Sequence, residues 1–304
     1  MENQRQNLLL VVVLLGAGFV MIFSFIFVLL IAVVGVNMDM NFDFNKSDGP
    51  QVGVIDVAGV IETSDLIIED LNDFASDDSI KAILLRVDSP GGSVGPSQEI
   101  YAEVKKLRQK KKIVVSMGSL AASGGYYISA AADKIYANPG TITGSIGVII
   151  QTTYLGELFK YLKMEAITYK SGKHKDMLSP LRKPSEEDDQ VAQGLIDDVY
   201  EQFLDDVVAG RGVDKETLRQ YADGRILTGR QALELKLVDE LGNIRDAAAG
   251  ALALAGVEGE PVLVYPEEEP LSYIEKMFQS VASGMVKAIG AKEEGGKVEY
   301  RLAR

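Results

Sequence analysis

The chain has 304 residues, a formal net charge of −13, one histidine and no cysteine. An acidic surface repels phosphate backbones, which argues against a nucleic-acid partner. Without cysteine there are no disulfides, thiolate metal sites or cysteine nucleophile, and the single His174 rules out a histidine-rich metal centre.

The stretch Leu8–Val36 carries no charged residue and is almost entirely aliphatic, Phe, Gly or Met. It exceeds the roughly 20 residues that a helix needs to cross a bilayer. A cleaved secretory signal has a shorter apolar core of about 7–15 residues, so a retained membrane-spanning helix is expected. Arg5 and the terminal amine precede it, and no Lys or Arg follows until Lys46. Positive charge stays inside, which directs the remaining chain to the outer face of the cell membrane. The expected division is an anchor over 1–36, a polar linker over 37–50, a globular domain over 51–265, and a C-terminal helix with a flexible tail over 266–304.

Segments 52–58, 80–87, 112–117 and 146–150 are short, β-branched and apolar almost throughout. Such runs predict strands covered on both faces. Helical patterns fall at 95–110, 123–132 and 154–163. The alternation predicts an α/β fold with parallel pairing. A long amphipathic helix is expected over 185–210, capped by Ser185, acidic in its first turn and ended by Gly210. Shorter helices broken by Gly224, Gly229 and Gly242 follow.

Three pieces carry chemistry. In 118–127 (GSLAASGGYY) a strand runs through small residues into Ser123–Gly124–Gly125, which can expose a serine hydroxyl at a tight strand-to-helix junction. Asp88–Ser89–Pro90–Gly91–Gly92–Ser93 follows a buried strand directly, and its glycines leave backbone N–H groups open to a ligand. Sites in open α/β sheets form at that strand end. Ser171–Gly172–Lys173–His174–Lys175–Asp176 offers bases for a serine nucleophile. Lysine serves only when neutral, and moving its pKa from about 10.4 to about 7 takes roughly 4–5 kcal/mol. On spacing alone the lysines read more naturally as ordinary solvated surface groups.

GSLAASGGYYISAAADKIYANPGTITGSIGV, taken with DSPGGSV and SGKHKD, resembles the signal peptide peptidase A family of membrane serine proteases over about residues 52–256. The resemblance implies a Clp-protease/crotonase-like fold of repeated ββα units. It implies Ser123 as nucleophile, Lys175 as general base, Ser145 as the residue orienting that lysine, and the Gly92 and Gly124 amides as the oxyanion hole. It also implies peptide substrates (signal-peptide remnants and unfolded apolar peptides), no metal or other cofactor, and a ring- or dome-shaped homo-oligomer of single-copy chains. A related Ser–Lys protease that partners stomatin-like proteins is the nearest alternative. A crotonase-like acyl-CoA enzyme or an inactive scaffold is the alternative from another class.

Overall fold

The computed structural model of the chain describes residues 49–266 and Phe25. The expected anchor at 8–36, nearly all of the linker and the tail from 267 onward lie outside the described residues. Gly49 opens the second of two compact units, Met1–Asp48 and Gly49–Arg304. Among the described residues no helix is long and apolar enough to cross a membrane.

In chain order the elements are β1 (Gln51–Ile61), α1 (Asp65–Ser76), β2 (Ile80–Gly92), α2 (Val94–Leu107), β3 (Ile113–Ala122), α3 (Gly124–Ala130), β4 (Lys134–Ala137) and β5 (Ile142–Gly144). They continue with α4 (Gly156–Tyr161), α5 (Glu186–Arg211), α6 (Lys215–Arg219), β6 (Ile226–Thr228), α7 (Gly229–Glu234), β7 (Glu240–Leu241), α8 (Ile244–Leu254) and β8 (Val262–Val264). The strands form one sheet in the order β6-β5-β3-β2-β1-β8, with β4 pairing β3 and β7. All pairs are parallel except β5 with β6.

The apolar runs of the central strands serve two cores. Ile55, Val57, Ile83, Leu85, Val87, Ile113, Val115 and Met117 point into the larger core beneath α1, α2, α3 and α5. The alternate residues Val52, Val54, Ala82, Leu84 and Val114 face Ala247, Ala251 and Leu252 of α8. A strand buried on both faces has no place for alternating polar residues, which is why these segments read as continuous apolar runs.

One irregularity prepares the site. Val87 pairs with Met117 but Ser89 pairs with Ala121, so Gly118–Leu120 of β3 face Asp88 alone. The Asp88 carboxylate fills this bulge by accepting the Leu120 N–H at 3.1 Å. β3 therefore pairs β4 through Val114–Met117 and β5 through Leu120–Ala122. The ends of β2 and β3 are steered to one place.

Two expectations are corrected. Segment 146–150 is not a strand. The chain turns out of the sheet at Ser145 (φ 50°), and the Ile146 carbonyl accepts the Gly224 N–H at 3.0 Å rather than extending a ladder. Gly210 does not end the long helix. It packs against Ala130 with no room for a Cβ, and the helix closes one turn-step later at Gly212, which adopts the left-handed conformation. The expected Ser185 cap is present as a reciprocal capping box with Asp188.

Candidate active site

β3 enters α3 through Ser123, which holds φ 53° and ψ −120°. A residue with a Cβ rarely adopts this conformation, at a cost of about 1–3 kcal/mol. The surroundings enforce it. The Ser123 N–H donates to the Gly144 carbonyl at 2.9 Å, and the Ser123 carbonyl accepts from the Tyr127 N–H at 2.8 Å. Its hydroxyl makes no capping bond to α3, so the oxygen is left for other chemistry.

The end of β2 forms the facing wall. Ser89 is fully buried and its hydroxyl accepts the Gly91 N–H at 3.1 Å. Gly91 adopts φ +101°, and a Cβ there would stand 2.7 Å from the Gly124 nitrogen. A Cβ on Gly124 would stand 2.6 Å from Ser97 Oγ and 3.2 Å from the Gly92 nitrogen. Only glycine tolerates that approach, and it gathers the Gly92 and Gly124 amides beside Ser123.

These three residues line one cavity of about 120 Å³, with apolar walls from Val94, Val148, Ile149, Val199 and Phe203. An apolar cavity of about 150 Å³ holds benzene, so this one suits a medium-sized apolar side chain. Tyr127 closes the cavity. Its ring lies 4.8 Å from Phe203 and 5.0 Å from Tyr101, and its hydroxyl donates to the Asp206 carboxylate. Burial, reinforced by Asp206, pushes the Tyr127 phenol above its ordinary pKa and keeps it a donor. Ser97, Tyr127, Val199 and Phe203 were not singled out from the sequence. For Tyr127 the signal was present, four residues after the serine on the same short helix.

Ser145 sits directly after Gly144, the partner of the Ser123 amide. Its N–H donates to the Arg225 carbonyl at 2.8 Å. The Arg225 side chain folds back on the Asp223 carboxylate at 2.6 and 2.7 Å.

Lys175 lies elsewhere. It is exposed on a turn of the segment between β5 and α5 and does not line the serine cavity. The preceding His174 is bound through Nδ1 to Asp188 in the first turn of α5 at 2.7 Å. Val199, the nearest α5 residue of the cavity, lies eleven residues further on, about 16 Å along the helix axis. Within one chain Ser123, Gly92 and Gly124 meet, with Ser145 one residue from the partner of Ser123, and Lys175 makes no hydrogen bond to Ser123. Lys173 and Lys170 are paired with Glu187 and Asp176, each at 2.6 Å. Among the described residues Lys175 has no ion pair. These residues also contain no group of His, Asp and Glu able to hold a metal ion.

The family model described as Peptidase family S49 matches residues 105–258, about half of the chain, and that described as Clp protease matches residues 54–143. The chain belongs to peptidase family S49. This S49 member is 41% identical to a putative protease of Synechocystis over 86% of this chain and 95% of that protein. It is 44% identical to a putative signal peptide peptidase SppA of Enterococcus faecium over 58% of this chain and 52% of that protein. It is 35% identical to protease 4 of Haemophilus influenzae over 65% of this chain and 34% of that longer protein. The α/β sheet of this S49 chain is Clp-protease-like, as the second match requires.

Proposed function

We propose that this S49 peptidase is a membrane-bound serine endopeptidase that degrades signal-peptide remnants and other unfolded apolar peptides through a Ser–Lys dyad. The observation that carries the reading is the strained Ser123 elbow with two backbone amides, Gly92 and Gly124, gathered around it. Ser123 Oγ attacks the peptide carbonyl as Lys175 Nζ takes its proton. The Gly92 and Gly124 N–H groups stabilise the oxyanion, each contributing about 3–4 kcal/mol. The lysine returns the proton to the leaving amine, and water cleaves the acyl-enzyme by the same route. The apolar walls favour an apolar side chain at the scissile residue and, when a lysine enters, its neutral form.

Because Lys175 stands apart from Ser123 in the same chain, the proposed enzyme is a homo-oligomer in which a neighbouring copy supplies Lys175 to each serine. Residues 8–36 anchor it in the bilayer with the catalytic domain on the outer face.

A second reading rests on the His174–Asp188 contact of 2.7 Å, which has the form of the base-orienting contact in a Ser-His-Asp triad. Cleavage of an unfolded apolar peptide by wild type, Ser123→Ala, Lys175→Ala and His174→Ala separates the two. The Ser–Lys reading expects loss in the first two variants and retention in the third. Activity in Lys175→Ala with loss in His174→Ala reverses the assignment, and activity in Ser123→Ala removes both.

A further inference from the structure

We propose that Asp188 is a positioning residue for the general base, acting through Arg182 and His174 to fix the turn that carries Lys175. The inference rests on the reading of Lys175 as the base. Between residues 151 and 184 only Gly156 is buried, so apolar packing does not hold this segment. A polar web does. Asp188 Oδ1 binds His174 Nδ1 at 2.7 Å. Asp188 Oδ2 accepts from Arg182 at 2.6 Å and from the Ser185 N–H and hydroxyl at 2.9 and 2.8 Å. The same guanidinium reaches Asp176 at 2.8 Å, and Asp176 takes Lys170 at 2.6 Å.

The two chain neighbours of Lys175 are thus both tied to one carboxylate, His174 directly and Asp176 through Arg182. Lys175 itself stays out of the web and remains available. The Asp188 side chain is 4% exposed while its partners Arg182 and His174 are 29% and 31% exposed, so the carboxylate is held by several partners at once rather than by one surface pair. Asp188 belongs to α5, the helix that also supplies Val199 and Phe203 to the serine cavity. Its opposite part is pinned to α3 through Asp206 and Tyr127. One element therefore carries a wall of its own chain's serine cavity and the mount of the lysine proposed to serve a neighbouring copy. A base must sit within hydrogen-bond reach of the hydroxyl it deprotonates, and a displacement of about 1 Å can cost a hundredfold in rate.

The test is peptide-cleavage kinetics on the full chain for Asp188→Asn, Asp188→Ala, Arg182→Ala, the double Arg182→Ala/Asp188→Asn and Lys175→Ala, with thermal unfolding in parallel. Asn keeps the acceptor for Ser185 but loses the charge that holds Arg182 and His174. Asp188→Asn and Arg182→Ala are each expected to lower kcat about 10- to 100-fold with KM unchanged. The double variant is expected to be no slower than the slower single, as for one shared linkage. Wild-type kcat in Asp188→Asn, with loss only in Asp188→Ala, reduces Asp188 to a helix cap and overturns the inference. So does a loss that appears in KM rather than kcat. Full activity of Lys175→Ala overturns the base assignment and this inference together, whereas an inactive Lys175→Ala beside a normal Asp188→Asn overturns this inference alone.

Discussion

Ser123 keeps a disfavoured backbone because its amide and carbonyl are both engaged, by Gly144 and Tyr127. The strain aims the hydroxyl away from α3, where an ordinary helix-capping serine would turn it inward. Beside it the spacing between β2 and α3 is set by glycine. The nearest atom to a Cβ on Gly124 would be Ser97 Oγ, at 2.6 Å. Gly124→Ala is therefore expected to lower kcat/KM about 100-fold, comparable to removing one oxyanion donor. Adding Ser97→Ala to that variant removes the obstructing hydroxyl and is expected to restore part of the loss. Steady-state kinetics on the single and double variants check both statements, and equal activity of the two would show that Ser97 does not set the clearance. The small residues at this junction predict close approach there, while the roles of Ser123, Gly92 and Gly124 follow only from the family resemblance. Ser97 was not legible in the sequence, since its importance comes from a neighbour 27 residues away on another element.

At the scale of elements, the central strands and the long helix follow from local pattern. β-branched runs form β1, β2 and β3, and the Ser185–Asp188 reciprocal cap starts α5. The misread strand at 146–150 shows where pattern fails. Ile146 is buried in the core, but Val148 and Ile149, the latter 80% exposed, line the serine cavity instead. Apolarity there serves the cavity, and periodicity cannot separate that from burial in a sheet. The charge web on α5 was likewise illegible beyond its cap, because Arg182, Asp176 and His174 meet only once the segment folds back. It has a pH consequence. Arg182, then the Ser185 amide and His174, hold the Asp188 carboxyl well below its usual range. Arg182 and Lys170 hold Asp176 at about 2. Carboxylates with depressed folded pKa stabilise fully above their unfolded value, near 3.9, and that stability is lost as pH falls through the folded value. The thermal midpoint is therefore expected to drop between about pH 4 and pH 2. Arg182→Ala, which removes the leading partner of both carboxylates, is expected to lower the midpoint near neutral pH and flatten the acid-side fall. Melting curves followed by circular dichroism from pH 7 to pH 2 measure this, and parallel curves for the two proteins would count against it.

At the scale of the whole molecule, the segment between β5 and α5 exposes Ile149, Tyr161, Leu162, Met164, Ile167 and Tyr169, all more than half accessible. Large apolar side chains left exposed along one segment mark a candidate interaction surface. The same segment carries Lys175, the proposed partner that Ser123 lacks in its own chain. The proposed head-to-tail assembly would answer both facts, with each copy burying its projecting segment on the next and lending it a lysine. The arrangement makes a quantitative demand. On the proposed arrangement, Ser123→Ala and Lys175→Ala chains are each expected to be inactive alone, whereas a mixed assembly would contain sites built from the intact Ser123 of one chain and the intact Lys175 of its neighbour. With equal amounts and random mixing, about a quarter of sites are whole, the product of two even odds around a heterologous ring. Co-expression of the two variants is therefore expected to restore about a quarter of wild-type peptide cleavage by the same symmetry. A site completed within one chain predicts no restoration at all. Ile167→Glu placed in both variants is expected to abolish the restored activity by placing charge in the buried contact, with light scattering reporting the smaller species. Absence of complementation, with wild type still active as a monomer in light scattering, would instead mean that Lys175 reaches Ser123 by rearrangement of its own chain.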